Sequence, residues 1–360
     1  YVGGIFSTIG GQYRYGLAAV DTVTGVATDW DPAGGGWVLA LTVAGDTLCV
    51  GGAFTSMGGL ERSRLASFDL VTGDLTNWNP QSGGSVYAMA VRGDTVYVAG
   101  YLRSMGGLTR RGLAAVDLAT GATLDWDPGV NSTAYAIALA GDTVFVGGSF
   151  TETGGQPRQH LAAVDATSGA VLDWTADANS VVYALASHGD TLFVGGSFSG
   201  IAGEGRFGLA AFDMPSGALL PWDLELDTSV GALAVAENTL YVGGGHRAGF
   251  IPVSGLVSIP LVPSVPDPDS AASGCALAWI APNPVHEAAT VRLVLPSSRP
   301  VTLAVFDVQG RQVTSVMRRV DLPAGVHDIP LQARDWREGF YFLKLEAGDQ
   351  TATKKFVVLR

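Results

Sequence analysis

Residues 1–274 contain no lysine, and the whole chain of 360 residues holds only two cysteines, Cys49 and Cys275. Those cysteines fall in different expected units, so no disulfide framework is anticipated. The ten arginines of residues 1–274 stand against 25 acids, a net charge of −15, whereas residues 275–360 carry 11 basic residues against 8 acids. An acidic face repels a polyphosphate, because nucleic-acid affinity comes mainly from basic neutralisation; nucleic acid is not an expected partner. Long apolar runs are missing too. Nothing approaches a transmembrane segment, and no basic-then-apolar leader opens the chain. The first residue is Tyr1 rather than methionine, so the start reads as processed or cut. Charged residues make up only 15%, while 47% are hydrophobic and 49 residues are glycine. Disorder needs the opposite balance; many short strands joined by tight turns suit this one.

What is present is a repeat. Gly3, Gly51, Gly147, Gly195 and Gly243 lie on a 48-residue lattice, with Ala99 in the remaining slot. Trp30, Trp78, Trp126, Trp174 and Trp222 keep the same pitch. So do Arg14, Arg62, Arg110, Arg158 and Arg206, and Asp21, Asp69, Asp117, Asp165 and Asp213. Each copy reads as four antiparallel strands. "VYALAS" (Val182–Ser187) is short and alternating, and the Gly189–Asp190 turn leads into "TLFVGG", a hairpin signature. A loop with a second glycine pair, Gly154–Gly155 in the preceding copy, leads to "LAAVD", and a Ser-Gly or Thr-Gly turn leads to "AVLDW". Four such strands at this pitch make a propeller blade. The chain opens in the second strand of one blade, passes four complete blades and closes with three strands of a last one. The expectation is an all-β fold: a β-propeller of about six four-stranded blades over residues 1–262, incomplete at its N-terminus and repaired by a strand upstream of Tyr1.

"GGSFTETGGQPRQHLAAVD" and "VYALA…GDTLFVGGSF" resemble the delta-60 type of bacterial propeller repeat across roughly residues 1–262. The resemblance implies a fold and brings no defined biochemical role. Because a site normally occurs once and a packing rule recurs in every blade, the repeated Trp, Arg and Asp are read as structural. The tryptophan would fill the seam between blades, burying on the order of 200 Å². The aspartate would accept backbone N–H bonds in an Asx-type turn. The arginine would bridge to a carboxylate such as Asp31 or Asp127 on the adjoining loop.

Chemical motifs are sparse. "AVDLATGATLDW" (Ala115–Trp126) is similar to the tryptophan-docking repeats of quinoprotein dehydrogenases, whose propeller holds pyrroloquinoline quinone and calcium. The Asp-to-Trp spacing here is one residue longer, and "VLALTV", "VYAMAV", "AYAIAL", "VYALAS" and "VGALAV", the inner strands, offer no acid, histidine or arginine to such a cofactor. No cofactor is therefore expected, with calcium between loops left open. The Gly-Gly loops lack a following Gly-Lys-Ser/Thr, His160, His188 and His246 share no zinc spacing, and no Gly-x-Ser-x-Gly elbow occurs. Asn131-Ser132-Thr133 matches a glycosylation sequon. A binding site would lie where the copies differ, on the face built from the loops after the second and fourth strands. Tyr13, Trp37, Tyr101, Arg103, Arg111, His160 and Glu204 are the candidates there, with Tyr15, Glu61, Arg64, Glu152 and Phe207 around them. Aromatics beside arginines suit a glycan or a protein surface.

Past residue 262 the repeat stops. Residues 263–274, inside "LVPSVPDPDSAASG" (Leu261–Gly274), are a Pro-rich linker. Residues 275–360 hold six or seven strand-like segments, the pattern of a small Ig-like sandwich. "APNPVHEAATVRLVLPSSRPVTLAVFDVQGRQV", "LPAGVHDIPLQ", "REGFYFLKLEAG" and "TKKFVVLR" resemble the C-terminal sorting domain of type IX secretion cargo, and the related Ig-like domain of flagellar hook-cap scaffolding proteins. That resemblance, over about residues 281–360, implies passage across an outer membrane and a place outside the cell or on its surface. It makes the type IX machinery a partner. The sequence thus reads as a secreted, non-catalytic propeller that recognises a glycan or protein. The rival reading is an enzyme with a rim site, a polysaccharide lyase, hydrolase or quinoprotein-like dehydrogenase.

Overall fold

A computed structural model describes residues 1–222, 229–248, 251–261, 276–281, 285, 287–307, 309–348 and 350–358. The expected linker at 263–274 and Cys275 lie outside the described residues. Regular structure among the described residues is all strand, in two compact units, Tyr1–Ile259 and Pro260–Arg360.

The first unit is a β-propeller of successive blade sheets, numbered here 1–6 from the N-terminus. Blade 1 pairs Val2–Gly3 with Leu17–Ala18. Blades 2–5 repeat one three-stranded ladder, for example Val86–Arg92, Thr95–Gly100 and Leu113–Asp117 in blade 3. Inner strands pack side by side around the unit: Val38–Ala44 on Val86–Arg92, then Ala134–Ala140, Val182–His188 and Val230–Ala236 in turn. Each inner strand joins its neighbour by a two-residue turn, as at Gly93–Asp94, where Gly93 holds φ +55°. The long loop after the second strand carries its own short hairpin. In blade 3 Ser104–Met105 pairs with Leu108–Thr109 across Gly106 and Gly107, both at positive φ, as a type I′ turn requires.

The fourth strand differs from the expectation in extent. It survives as one antiparallel bridge in each of blades 1–5, such as Phe68↔Leu75 and Val116↔Thr123. Thr76 still donates its N–H to the Ser67 carbonyl (2.9 Å), but its own carbonyl accepts from Arg62 Nη2 (2.8 Å). The guanidinium takes the place of a longer ladder. Blade 6 departs in another way: its second and third strands, Thr239–Ala248 and Ile251–Pro260, reach ten residues each, and among the described residues no short hairpin stands between them. Its sequence lacks the second glycine pair and the arginine that build that loop.

Blade seams make up the core. Between blades 3 and 4, Ala99, Trp126, Val130, Ala134, Val146 and Phe150 are all buried in one cluster. Cys49, fully buried in blade 2, has its thiol pushed up to about 12 by burial, which keeps it neutral and inert.

The second unit is a two-sheet sandwich. Strands Ala276–Ala281, Ala288–Leu295 and Gly325–Gln332 form one sheet in that order. Gln312–Leu322, Arg299–Asp307, Gly339–Ala347 and Gln350–Val358 form the other. Alternating residues of both, including Val291, Leu293, Leu303, Leu343 and Phe356, fill the core between them.

Candidate functional site

Strand order alone fixes two ends to every blade. The loops after the second and fourth strands gather at one end, and the tight turns after the first and third gather at the other.

The repeated arginines and tryptophans are engaged with backbone. Arg14, Arg62, Arg110 and Arg158 are buried, and each sends Nη2 to the carbonyl fourteen residues on, at 2.8–3.0 Å, and Nη1 to the preceding carbonyl. The carboxylate bridge expected at Asp31 and Asp127 is present, at 3.7 and 3.4 Å. Blades 2 and 4 carry Asn79 and Thr175 at that position, so the carbonyl is the partner that recurs. Trp30, Trp78, Trp126 and Trp174 each donate Nε1 to the next blade's outer turn, at Gly73, Asp117, Asp165 and Gly217 respectively, at 2.9–3.0 Å. The rings of Trp30, Trp126 and Trp174 stand edge-on to neighbouring aromatics, as Trp174 does to Phe145 and Phe212. Trp222 meets Phe193 in the same way.

The irregular positions sit on different blades of the loop end. Tyr13 is 68% exposed in the blade 1 hairpin, and Trp37, 49% exposed, leads into the inner strand of blade 2. Blade 3 carries Tyr101, Arg103 and Arg111; blade 4 carries His160, and blade 5 carries Glu204, exposed in its short hairpin. Only Tyr101 and Arg103 are brought together: the guanidinium lies 5.4 Å from the ring centroid and donates to the phenol oxygen at 3.1 Å. That hydrogen bond, then the charge behind it, holds the Tyr101 hydroxyl below its ordinary value. No hydrogen bond, ion pair or ring contact joins candidates of different blades among the described residues. His160 turns inward, with Nδ1 3.2 Å from the Gly148 carbonyl. It holds φ +65° at a position that is Gly16, Gly112 and Gly208 in other blades, and Arg64 (φ +69°) does the same while donating to the Ser82 carbonyl at 3.0 Å.

The sequon asparagine is also a stitch. Asn131 Nδ2 donates to Thr151 Oγ1 (2.9 Å) and Oδ1 accepts from the Thr151 and Glu152 amides. Asn179 repeats the arrangement with Ser199 and Gly200.

Two clefts open at the turn end. One, of about 540 Å³, lies between blades 3 and 4 and includes Arg92, Tyr97, Asp125 and Trp126 in its lining. Its charged groups do not converge: Arg92 pairs with Asp142, and Tyr97 donates its hydroxyl to the Ala166 carbonyl at 2.7 Å. The other, of about 320 Å³, lies between blades 4 and 5 beside Ser187, His188 and Asp190. Among the described residues no group of three or more His, Cys, Asp or Glu is placed to hold a metal.

Sequence reading missed the inner-strand tyrosines Tyr87, Tyr135 and Tyr183, whose rings meet blade to blade at tilted angles. Their signal was a residue type shared by three consecutive copies, neither universal nor single.

The fold and its loop-end geometry define a β-propeller with a sandwich tail. Residues 18–254 match the family described as outer membrane protein assembly factor BamB, and the chain belongs to that family. Residues 279–359 match the secretion system C-terminal sorting domain. No curated protein matches the chain. Among solved structures it is similar to the computationally designed Ika8 protein, at 16% identity over 89% of this chain and 96% of that one, with a TM-score of 0.39. It is also similar to a quinoprotein alcohol dehydrogenase-like protein from Bacteroides thetaiotaomicron, at 11% identity over 81% of this chain and 68% of that one, TM-score 0.41. A third likeness is to the extracellular domain of a one-component system from the same organism, at 9% identity over 94% of this chain and 46% of that one, TM-score 0.40.

Proposed function

We propose that the protein is exported by the type IX machinery and acts outside the cell as a non-catalytic binding platform, its propeller presenting the loop end to a glycan or a surface protein. The observation that carries the binding reading is the exposed Tyr101–Arg103 pair, with Trp37 and Tyr13 bare on the same end. A pre-stacked guanidinium and phenol present an apolar face and several donors at little entropic cost. General acid–base chemistry needs titratable groups that converge on one reacting bond, and the loop-end candidates are spread over five blades.

Two finer readings belong to the same proposal. The loop wording supports a delta-60-type repeat. An Ig-like tail is supported by the strand order of its two sheets and by Tyr341, whose hydroxyl donates to the Arg337 carbonyl four residues upstream (2.8 Å), the contact of an Ig tyrosine corner.

The test is a glycan and surface-protein array probed with the full chain and with the variant Trp37→Ala/Tyr101→Ala/Arg103→Ala. Selective binding that the triple variant loses by about tenfold or more is expected. Binding that survives the triple variant, or an array with no hits, would remove the loop-end platform.

A further inference from the structure

Most arginines of the propeller are taken up by the fold. Arg14, Arg62, Arg110 and Arg158 hold backbone carbonyls, Arg206 donates to the Gly205 carbonyl, Arg64 donates to the Ser82 carbonyl, and Arg92 pairs with Asp142. Among the described side chains of this unit, only Arg103 and Arg111 meet neither a carbonyl nor a carboxylate, and both are exposed at the loop end of blade 3. The backbone brings them to one place. The Arg110 N–H donates to the Arg103 carbonyl and the Gly112 N–H to the Leu102 carbonyl, each at 3.2 Å, so Arg111 stands across the loop from Arg103. Tyr101, on the same segment as Arg103, stays 49% exposed although the guanidinium lies beside its ring. Blade 4 borders the spot: the Val130 N–H donates to the Arg111 carbonyl at 2.9 Å, and two residues on the exposed Ser132 hydroxyl meets that of Ser149. Carboxylates are distributed the opposite way. The short hairpin of blade 3, residues 104–109, holds no acid, whereas those of blades 2, 4 and 5 each expose one, Glu61, Glu152 and Glu204.

We propose that Arg103 and Arg111 clamp the single carboxylate of an acidic sugar at the end of a glycan, with Tyr101 taking the apolar face of the same sugar. The proposal rests on the loop-end platform above and names its ligand class. Two guanidiniums across one loop repel each other, and among the described residues no acid pairs with either; an anion between them turns that repulsion into attraction. A planar guanidinium meets a carboxylate through two parallel N–H···O bonds, and one already held against a ring loses little freedom on binding. The neighbouring blades limit how much charge the ligand can carry. Glu61 and Glu152 stand on blades 2 and 4, to either side, so a chain charged on every ring is repelled where a single carboxylate is not. A sugar suits the surroundings better than a peptide does: Tyr101 offers a ring face for its C–H groups, and Ser132 and Ser149 offer hydroxyls for its own.

A glycan array in matched pairs, probed with the full chain, tests the proposal: each glycan ending in a uronic or sialic acid stands beside the same glycan with that carboxyl reduced to the alcohol. At least one acid-ended glycan is expected to bind, and reduction of its carboxyl should weaken it by about tenfold or more. In Arg111→Gln that preference should shrink to about threefold or less. Arg92→Gln removes the same charge from the turn end and should keep the full preference. Added salt should weaken the acid-ended glycan and leave its reduced partner unchanged. Neutral glycans or proteins bound through Trp37, Tyr101 and Arg103, with no preference for the carboxylate, would overturn this inference and leave the platform standing; an array with no hits would remove both. A preference unchanged in Arg111→Gln, an acidic peptide that outbinds every sugar, or an oligogalacturonate charged on every ring that binds as tightly as the end-charged glycans would overturn it as well.

Discussion

Arg62 ties a loose segment to its blade with one buried side chain. Its Nη2 serves the Thr76 carbonyl and its Nη1 the Glu61 carbonyl, a fork that a single ammonium on a flexible stem does not reproduce. Arg62→Lys is expected to cost about 1–2 kcal/mol in urea unfolding, because a buried carbonyl loses a charge-assisted partner. The outer-turn aspartates act by acceptance. Asp117 Oδ1 takes the Thr120 hydroxyl at 2.6 Å and the Thr120 amide at 2.7 Å, and Asp165 does the same with Ser168. Those hydrogen bonds, the hydroxyl first, hold both carboxyls below the usual range. A depressed folded value means stability that is complete above the unfolded carboxylate value and drains away as pH falls through the folded one. The thermal midpoint should therefore be level above about pH 5 and fall steadily below about pH 4. Asp117→Ala should show a shallower acid limb, which thermal melts across pH would read.

At the scale of the element, the glycine lattice has a packing cause. A Cβ on Gly147 would stand 2.4 Å from Val182 Cγ1, on the next blade's inner strand, and Gly51 and Gly195 meet Val86 and Val230 at 2.6 Å. Ala99 is the exception, and the residue that takes the valine's place opposite it is Ala134. The pair, not the glycine, is what repeats. Gly147→Ala should cost about 1–3 kcal/mol by overpacking. Adding Val182→Ala should recover part of that loss, with a coupling energy of about 1 kcal/mol or more in a double-mutant cycle. Additive losses would show that the two blades do not meet there.

On the scale of the whole molecule, the chain joins two units that differ in sequence logic and in charge. The propeller repeats one packing rule and is strongly acidic; the tail has no repeat and is net basic. If the tail is the export signal, a chain ending at Ile259 should accumulate in the periplasm of a cell with type IX machinery. The full chain should reach the surface or the medium, as cell fractionation would read. Equal export of both would remove the tail's assigned role.

How much could be read in advance follows from the same division. Periodicity needs no coordinates, so strand order, turn positions and the seam role of Trp126 were legible from spacing, as was the sorting wording of residues 279–359. Contacts across a bulge or between distant turns are set by register and close approach, which spacing does not encode. That is why Arg62 proved to hold a carbonyl in a blade without the expected carboxylate, why Asn131 proved to be a stitch rather than a free acceptor, and why the loop-end candidates stand apart on separate blades. The sequence by itself determined a propeller-blade repeat and a tail worded like a sorting domain, because hydrophobic period and turn chemistry act locally. Only the tertiary structure decided that Tyr87, Tyr135 and Tyr183 meet ring to ring, because residues 48 apart become neighbours only when sheets stack around an axis.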